Sequence, residues 1–246
     1  MSLFSLAGRR ALVTGANTGI GQAIAVGLAD AGAEVVCVGR RDCDETVAAI
    51  TKAGGTASAL RVDFADPMAG QTIFEGQKID LLVNNAGIIR RADAIDFTEE
   101  DWDDVMDVNL KALFFTTQAF AKSVMARGGT GAVVNIASLL AFQGGIRIPS
   151  YTASKHGVAG LTKLLANEWA AKGINVNAIA PGYIETNNTE ALRNDPVRNQ
   201  AILDRIPAGR WGQAEDIAGA AVYLCSPAAR YVHGTVLSVD GGWLAR

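Results

Sequence analysis

Ala11-Leu12-Val13-Thr14-Gly15-Ala16-Asn17-Thr18-Gly19-Ile20-Gly21 is the stretch on which the fold turns. A short apolar run leads into three glycines spaced GxxxGxG, and an alanine-rich segment of helical composition follows. Read as strand, glycine turn and helix, it gathers backbone N–H groups and the positive end of a helix dipole where a pyrophosphate would sit. Gly15 can take the tight turn, Gly19 lets a phosphate approach the backbone, and Gly21 lets the helix pack close on the strand. Asn17, Thr18 and Ile20 complete the candidate loop. Three glycines in seven residues also occur in plain turns, so their position directly after a first strand carries the reading.

Outward from this loop the same alternation repeats. Apolar runs at Ala11–Thr14, Glu34–Val38, Ser58–Val62, Leu81–Asn84, Ala132–Ile136, Asn175–Ile179 and Thr235–Val239 are short and rich in Val, Ile and Leu. Such runs suit strands buried on both faces of a parallel sheet. Helix-period stretches lie between them; Val158, Leu161, Leu165 and Trp169 mark one face of a helix. Strand–helix alternation predicts right-handed crossovers and an α/β fold: a Rossmann-type, doubly wound sheet of seven mainly parallel strands with helices on both faces. No linker, repeat or low-complexity tract divides the chain, so residues 1–246 read as one domain. Gly182 to Gly212, irregular and rich in Asn, Arg and Pro, exceeds ordinary loop length and is a candidate substrate lid.

Composition narrows the function. Twenty-two basic against 25 acidic residues leave a formal charge of −3, without the basic excess expected of a nucleic-acid-binding domain. No apolar run reaches the roughly 18 residues of a membrane span. Three cysteines without metal-ligand spacing argue against a disulfide framework or a structural metal site. With no export signal apparent at the N-terminus, they suit a reducing cytoplasm.

Cofactor choice should show at the end of the second strand. A carboxylate there binds a ribose 2′-hydroxyl, whereas arginine accommodates a 2′-phosphate. This strand ends Val38-Gly39-Arg40-Arg41, with no carboxylate before Asp42. Arg40 offers a fork of donors matched to phosphate, which favours NADP over NAD. An arginine pair at a loop start is otherwise a solvated surface feature.

Tyr151 and Lys155, four residues apart on an expected helix, face one side. A phenol with a pKa near 10 is a poor base at neutral pH, and a neighbouring ammonium lowers that value. Ser138 ends the fifth apolar run, at the sheet edge where open α/β folds bind ligands. The three groups can converge on a carbonyl: one hydrogen-bonds it, one transfers the proton, one tunes the pKa.

Thr14-Gly15-x-x-x-Gly19-x-Gly21, Asn84-Asn85-Ala86-Gly87, Asn109, Ser138, Tyr151-x-x-x-Lys155 and Pro181-Gly182, in this order, resemble the motif set of the short-chain dehydrogenases/reductases. The resemblance covers nearly the whole chain. It implies that Tyr151 is the catalytic acid/base, that Ser138 orients the substrate carbonyl, and that Lys155 holds the nicotinamide ribose while tuning the phenol. It makes Asn109 the holder of a water in a proton relay. It places Asp63 and Phe64 at the adenine, Asn85, Ala86 and Gly87 along the cofactor cleft, and Pro181, Gly182, Ile184 and Thr186 at the nicotinamide end. It also implies a homotetramer built through helices around Asp101–Arg127 and Tyr151–Ala171, the last strand and Trp243.

A narrower similarity is to members of that family acting on hexonate-type sugar acids. It rests on Ile88–Arg91, Phe142–Arg147, Tyr183–Thr189, Ile202–Gly212 and Asp240–Arg246. A sugar acid needs a cation for its carboxylate and polar partners for its hydroxyls. Arg147 is the first candidate for the carboxylate, with Gln143, Asn187 and Asn188 for the hydroxyls. The same Arg147 would serve equally in a surface or intersubunit ion pair. At least one of Arg90 and Arg91 is expected to be a surface charge, and His156 to point off the catalytic face. The Asp63–Asp80 stretch is several residues short for the family, so a clipped helix is expected there. The alternatives are a reductase of another ketone, such as a 3-oxoacyl thioester, and a non-catalytic NADP-binding sensor.

Overall fold

The computed structural model of the chain describes residues 2–246. Each of its seven strands falls on one of the apolar runs, with ends within two residues of those read from sequence. They are β1 (Arg10–Thr14), β2 (Glu34–Gly39), β3 (Ala57–Arg61), β4 (Leu81–Asn84), β5 (Gly131–Ile136), β6 (Ile174–Pro181) and β7 (Val236–Val239). All pair in parallel in the order β3-β2-β1-β4-β5-β6-β7. The order reverses between β1 and β4, which opens a crevice at their carboxyl ends.

Period-two alternation of side chains splits the core into two layers. Ala11, Val13, Val35, Cys37, Leu81 and Val83 point to one face, against α1 (Gly19–Asp30) and α8 (Ala214–Cys225). Leu12, Val36, Leu82, Val133 and Val176 point to the other, against α4 (Ala112–Ala126) and α5 (Pro149–Trp169). Strands β1, β4 and β5 are buried almost throughout, but β3 is largely exposed. As an edge strand it has a neighbour on one side only, so burial on both faces does not extend to it.

Between β3 and β4 no α-helix forms. A single 3₁₀ turn, Ala69–Phe74, covers the sheet, and a Cβ on Gly70 would overlap Thr116 Oγ1. The connection is short, as its residue count requires. Helix α2 (Asp44–Lys52) precedes β3, while α3 (Glu99–Met106) runs into α4 through a π turn at Asp107–Lys111. Segment 182–212 is less irregular than expected. It holds α6 (Glu190–Arg193) and α7 (Pro196–Leu203), the latter started by the Asp195 carboxylate on the N–H groups of Val197 and Arg198. Pro196 at its first position adds the fixed φ that a helix start favours.

At the amino ends of the strands the nearly buried Asp80 ties the sheet together. Its carboxylate accepts from Arg10 N (3.2 Å) and pairs with Arg127 (3.0 Å). Among the described residues no helix is long and apolar enough to cross a membrane.

Candidate active site

The crevice forms an elongated cleft of two lobes that share Gly87 and Ile88. One lobe, about 290 Å³, is lined by Gly15, Asn17, Gly39, Arg40, Asp63, Phe64 and Ala86 among others. The second, about 150 Å³, is lined by Ile20, Asn85, Ser138, Tyr151, Lys155, Pro181, Gly182, Ile184, Thr186 and Asn188.

The glycine loop has the form its sequence suggests. Gly15 and Gly19 adopt left-handed backbone (φ +64° and +57°), which disfavours any side chain. Gly21 is a packing position that lines neither lobe: a Cβ there would overlap Gly15 O and Asn85 Nδ2. Asn85 clamps the loop, donating from Nδ2 to the carbonyls of Thr14 (3.0 Å) and Gly15 (3.1 Å). The Thr14 hydroxyl accepts from the N–H groups of Asn85 and Ala86, both at 3.0 Å. Thr18 precedes α1 with extended backbone and makes no side-chain cap. The first-turn N–H groups of α1 therefore keep their capacity for an anion. This glycine cradle and uncapped helix end fit the pyrophosphate of a nicotinamide dinucleotide.

At the adenosine end, Gly39 is a glycine of necessity. A Cβ there would approach Arg41 O to 2.7 Å and Cys43 Sγ to 3.0 Å. A carboxylate-bearing side chain is thereby excluded from the end of β2. Arg40 lines the lobe, and its carbonyl is held by Arg61 Nε at 2.9 Å. Asp63 accepts from Ala65 N (3.0 Å) beside the buried Phe64.

At the reacting end, β5 delivers Ser138, whose Oγ accepts from Leu140 N (3.2 Å). Helix α5 presents Tyr151 and Lys155 one turn apart, and the Lys155 Nζ lies 5.5 Å from the centre of the Tyr151 ring. Lys155 is 5% exposed and donates to Ile136 O at 2.7 Å. Burial pulls its pKa down to about 8. The Tyr151 phenol is raised above its ordinary value, chiefly by burial; the Ser138 hydroxyl and the Arg91 guanidinium act in the opposite direction. This departs from the lysine-lowered phenol expected from sequence. Desolvation acts on both groups, and a cationic influence on the phenol comes from Arg91.

Asn109, on the π turn, has both ends of its amide engaged by Ile88: Oδ1 accepts from its N–H (2.8 Å) and Nδ2 donates to its carbonyl (2.9 Å). Its Nδ2 also donates to Ser154 Oγ (3.4 Å), so the side chain buttresses the cleft wall. Asn84 joins Thr117, Asn135 and Thr162 in a buried network beneath the site.

The substrate candidates divide. Asn188 lines the second lobe; Gln143, Arg147 and Asn187 do not. Arg147 is exposed, has left-handed backbone (φ +64°) and pairs with Asp93 at 2.9 Å. Its charge is met by a carboxylate of the chain itself, the surface ion pair that was the other reading of this residue. Gln143 Oε1 accepts from Trp243 Nε1–H at 3.3 Å. Arg90 is held by Asp101 and Asp104, the surface role expected of one of the pair. Arg91, read from sequence only as one of two arginines of which at least one would be a surface charge, bonds the carbonyl of Asn188 at 3.1 Å and acts electrostatically on Tyr151. Its place just after the Asn84–Gly87 stretch was the available signal. His156 is exposed and bonds only its own helix, at Thr152 O.

Strand order, glycine cradle and the Ser–Tyr–Lys group together define an NAD(P)-dependent oxidoreductase, and the chain belongs to the short-chain dehydrogenase/reductase family. The family model described as enoyl-(acyl carrier protein) reductase matches residues 15–244. Among curated relatives, 2-dehydro-3-deoxy-D-gluconate 5-dehydrogenase of Escherichia coli (strain K12) is 53% identical, covering 100% of this chain and 99% of that protein. Its namesake from Bacillus subtilis (strain 168) is 55% identical over 99% of this chain and 97% of that one. A solved structure of a candidate 2-deoxy-D-gluconate 3-dehydrogenase from Agrobacterium tumefaciens, with bound NADP, is 76% identical. It superposes with a TM-score of 0.99 over 100% of both chains.

Proposed function

We propose that the chain is an NADP-dependent dehydrogenase interconverting a hydroxyl and a ketone on a hexonate-type sugar acid. The observation that carries the substrate class is Arg91. It is a guanidinium without a carboxylate partner among the described ion pairs, bonded to the Asn188 carbonyl and acting electrostatically on the Tyr151 phenol. A sugar-acid carboxylate would find its cation there, and the small second lobe suits a compact polar substrate better than a long acyl chain. The named relatives support the same class. The sensor alternative is disfavoured because Asn109, Ser138, Tyr151 and Lys155 are all present.

A bound nicotinamide would supply the hydride chemistry at the substrate carbon. The protein handles everything else. Ser138 Oγ accepts from Leu140 N, and its O–H, which bonds the Tyr151 phenol in this structure, would donate to the substrate oxygen. Tyr151 gives that oxygen a proton in reduction and removes it in oxidation. Lys155, fixed on Ile136 O, stabilises the phenolate as it forms and so opposes the cost of burying it. Asn109 acts by holding Ile88 in the wall; a relay water is assigned to it only by resemblance. Orienting the reacting atoms in a dry cleft supplies much of the acceleration. NADP is favoured over NAD because Gly39 excludes a carboxylate where Arg40 and Arg41 line the adenosine lobe.

Segment 182–212 serves as the lid, since Ile184, Thr186, Asn188 and Thr189 form one wall of the second lobe. We also infer a cytoplasmic homotetramer. Trp102 on α3 and Leu164 on α5 stand exposed (40% and 47%), and the three cysteines are free and buried. Trp243, placed by resemblance in a subunit contact, is instead buried within its own chain.

The test is initial rates on 2-dehydro-3-deoxy-gluconate, 2-deoxygluconate and gluconate, with each cofactor and in both directions. High kcat/KM with one sugar acid and NADP is expected, as is a KM raised about tenfold or more in Arg91→Gln. Turnover of none of them, with NADP still bound, would overturn the substrate assignment.

A further inference from the structure

A small apolar cluster, separate from the two layers of the sheet, lies behind the lid. It contains Leu139, Ile202, Ile206, Trp211 and Trp243, with Tyr183 packed against it. Its members come from three places that the chemistry must coordinate: the turn after Ser138, the base of the lid, and the C-terminal tail. Trp243 alone is bonded or stacked to the first two. Its ring centre is 4.6 Å from that of Tyr183 at the start of segment 182–212, and the Arg205 guanidinium from the later part of that segment sits 4.0 Å above its face. Its Nε1–H donates to Gln143 Oε1 at 3.3 Å.

The acceptor matters because of what Gln143 belongs to. Ser138 opens a 3₁₀ turn over Leu139–Ala141, in which Ala141 N bonds Ser138 O (2.9 Å) and Gln143 N bonds Leu139 O (3.2 Å). The same turn aims Leu140 N at the serine hydroxyl. Tethering Gln143 therefore fixes the far end of the turn that orients Ser138. The tail is built to hold the indole still. Asp240 accepts from the N–H groups of Gly242 (2.9 Å) and Leu244 (3.0 Å), and Gly241 O accepts from Ala208 N (2.9 Å). Gly241 and Gly242, both left-handed, allow approach so close that a Cβ would meet Ile206 and Pro207 at 2.9 and 3.0 Å.

We infer that Trp243 is a positioning residue of the reaction, its indole joining the lid base to the Ser138 turn so that the seating of one orients the other. The inference rests on the assignment of Ser138 and Tyr151 above. The test uses the full chain and three variants. Trp243→Phe keeps the ring on Tyr183 and loses the Nε1–H donor; Gln143→Met keeps the side-chain length and loses the acceptor. Trp169→Phe alters another buried tryptophan outside this cluster. Hydrogen exchange of the Leu140, Phe142 and Gln143 amides is read without cofactor, beside kcat, KM and melting temperature.

One hydrogen bond should make those amides exchange about 3- to 10-fold faster in both Trp243→Phe and Gln143→Met. Kcat should fall by a similar factor with little change in KM, and the double variant should be no worse than either single one. Trp169→Phe is expected to lower melting temperature without moving these amides. Unchanged exchange in the two tether variants, or fully additive effects, would overturn the inference. If the parent enzyme turned over no sugar acid, the substrate assignment would fall, and the exchange data would still decide whether Trp243 holds the turn.

Discussion

Lys155→Met offers the sharpest check on the electrostatics of the site. The lysine is 5% exposed, and its pKa falls from 10.5 to about 8 by burial. A depression of that size means the folded state binds the lysine proton more weakly than the unfolded chain does, at a cost of about 3 kcal/mol. The cost is full below pH 8 and disappears as pH rises towards 10.5, where the unfolded lysine also loses its proton. Methionine removes the charge but orphans the Ile136 carbonyl, which costs about 1–3 kcal/mol at any pH. At pH 7 the variant should thus be as stable as the parent or up to about 2 kcal/mol more stable. By pH 10.5 its advantage should have shrunk by about 3 kcal/mol and reversed. Paired urea titrations at equal protein concentration, followed by tryptophan fluorescence at several pH values, measure the difference directly. Other groups that titrate in this range contribute to both proteins and largely cancel. A stability difference that stayed flat from pH 7 to 10.5 would refute the reasoning, because no buried charge would then have been removed. The variant should also lose turnover, so stability and activity are opposed at this one position.

Three further outcomes follow from the geometry. With a phenol raised by burial, oxidation should accelerate with pH above 7 while reduction stays level and then declines, and Tyr151→Phe should lose at least about 100-fold in kcat yet titrate with NADP as the parent does. Gly21→Ala forces a methyl against Gly15 O and Asn85 Nδ2; a loss of about 1–3 kcal/mol in denaturation and weakened NADP binding by fluorescence are expected, and parental binding would contradict the packing role. Asp80→Ala strands Arg127 and the Arg10 amide at the opposite edge of the sheet. It should cost about 2–4 kcal/mol of stability while kcat per folded molecule stays at the parental value.

The strands were readable because a parallel sheet covered on both faces demands unbroken Val, Ile and Leu runs, and few other structures do. Where that demand lapses, at the edge strand β3, the inference of two-sided burial failed with it. The glycine loop was readable for a similar reason: Gly15 and Gly19 stand where the backbone is left-handed, so the conformation leaves its mark on the residue type. Arg147 and Arg91 show where such marks end. Both are arginines in loops beside the cleft, and the sequence does not reveal that Asp93 lies 2.9 Å from the first. That pairing depends on two loops more than 50 residues apart, and charge alone cannot specify it. The π turn at Asp107–Lys111 was equally silent, since its residues have ordinary helix propensities. Helix α7 did carry a start signal in Asp195-Pro196, hidden within a segment whose composition suggested irregular chain.

The abbreviated connection between β3 and β4 has a practical consequence. After the 3₁₀ turn the chain passes Glu75 and Gly76, both exposed; Gly76 is left-handed, and a Cβ on it would meet nothing within 4 Å. The closure entropy of a surface loop grows only slowly with length, so extra residues in this connection cost little. The site is therefore a port in the scaffold: a peptide tag, a reporter or a small binding module can be spliced between Glu75 and Gly76. The strands, the Asp80 tie and the catalytic edge would keep their own contacts, and the enzyme could carry a second function on a face its chemistry does not use.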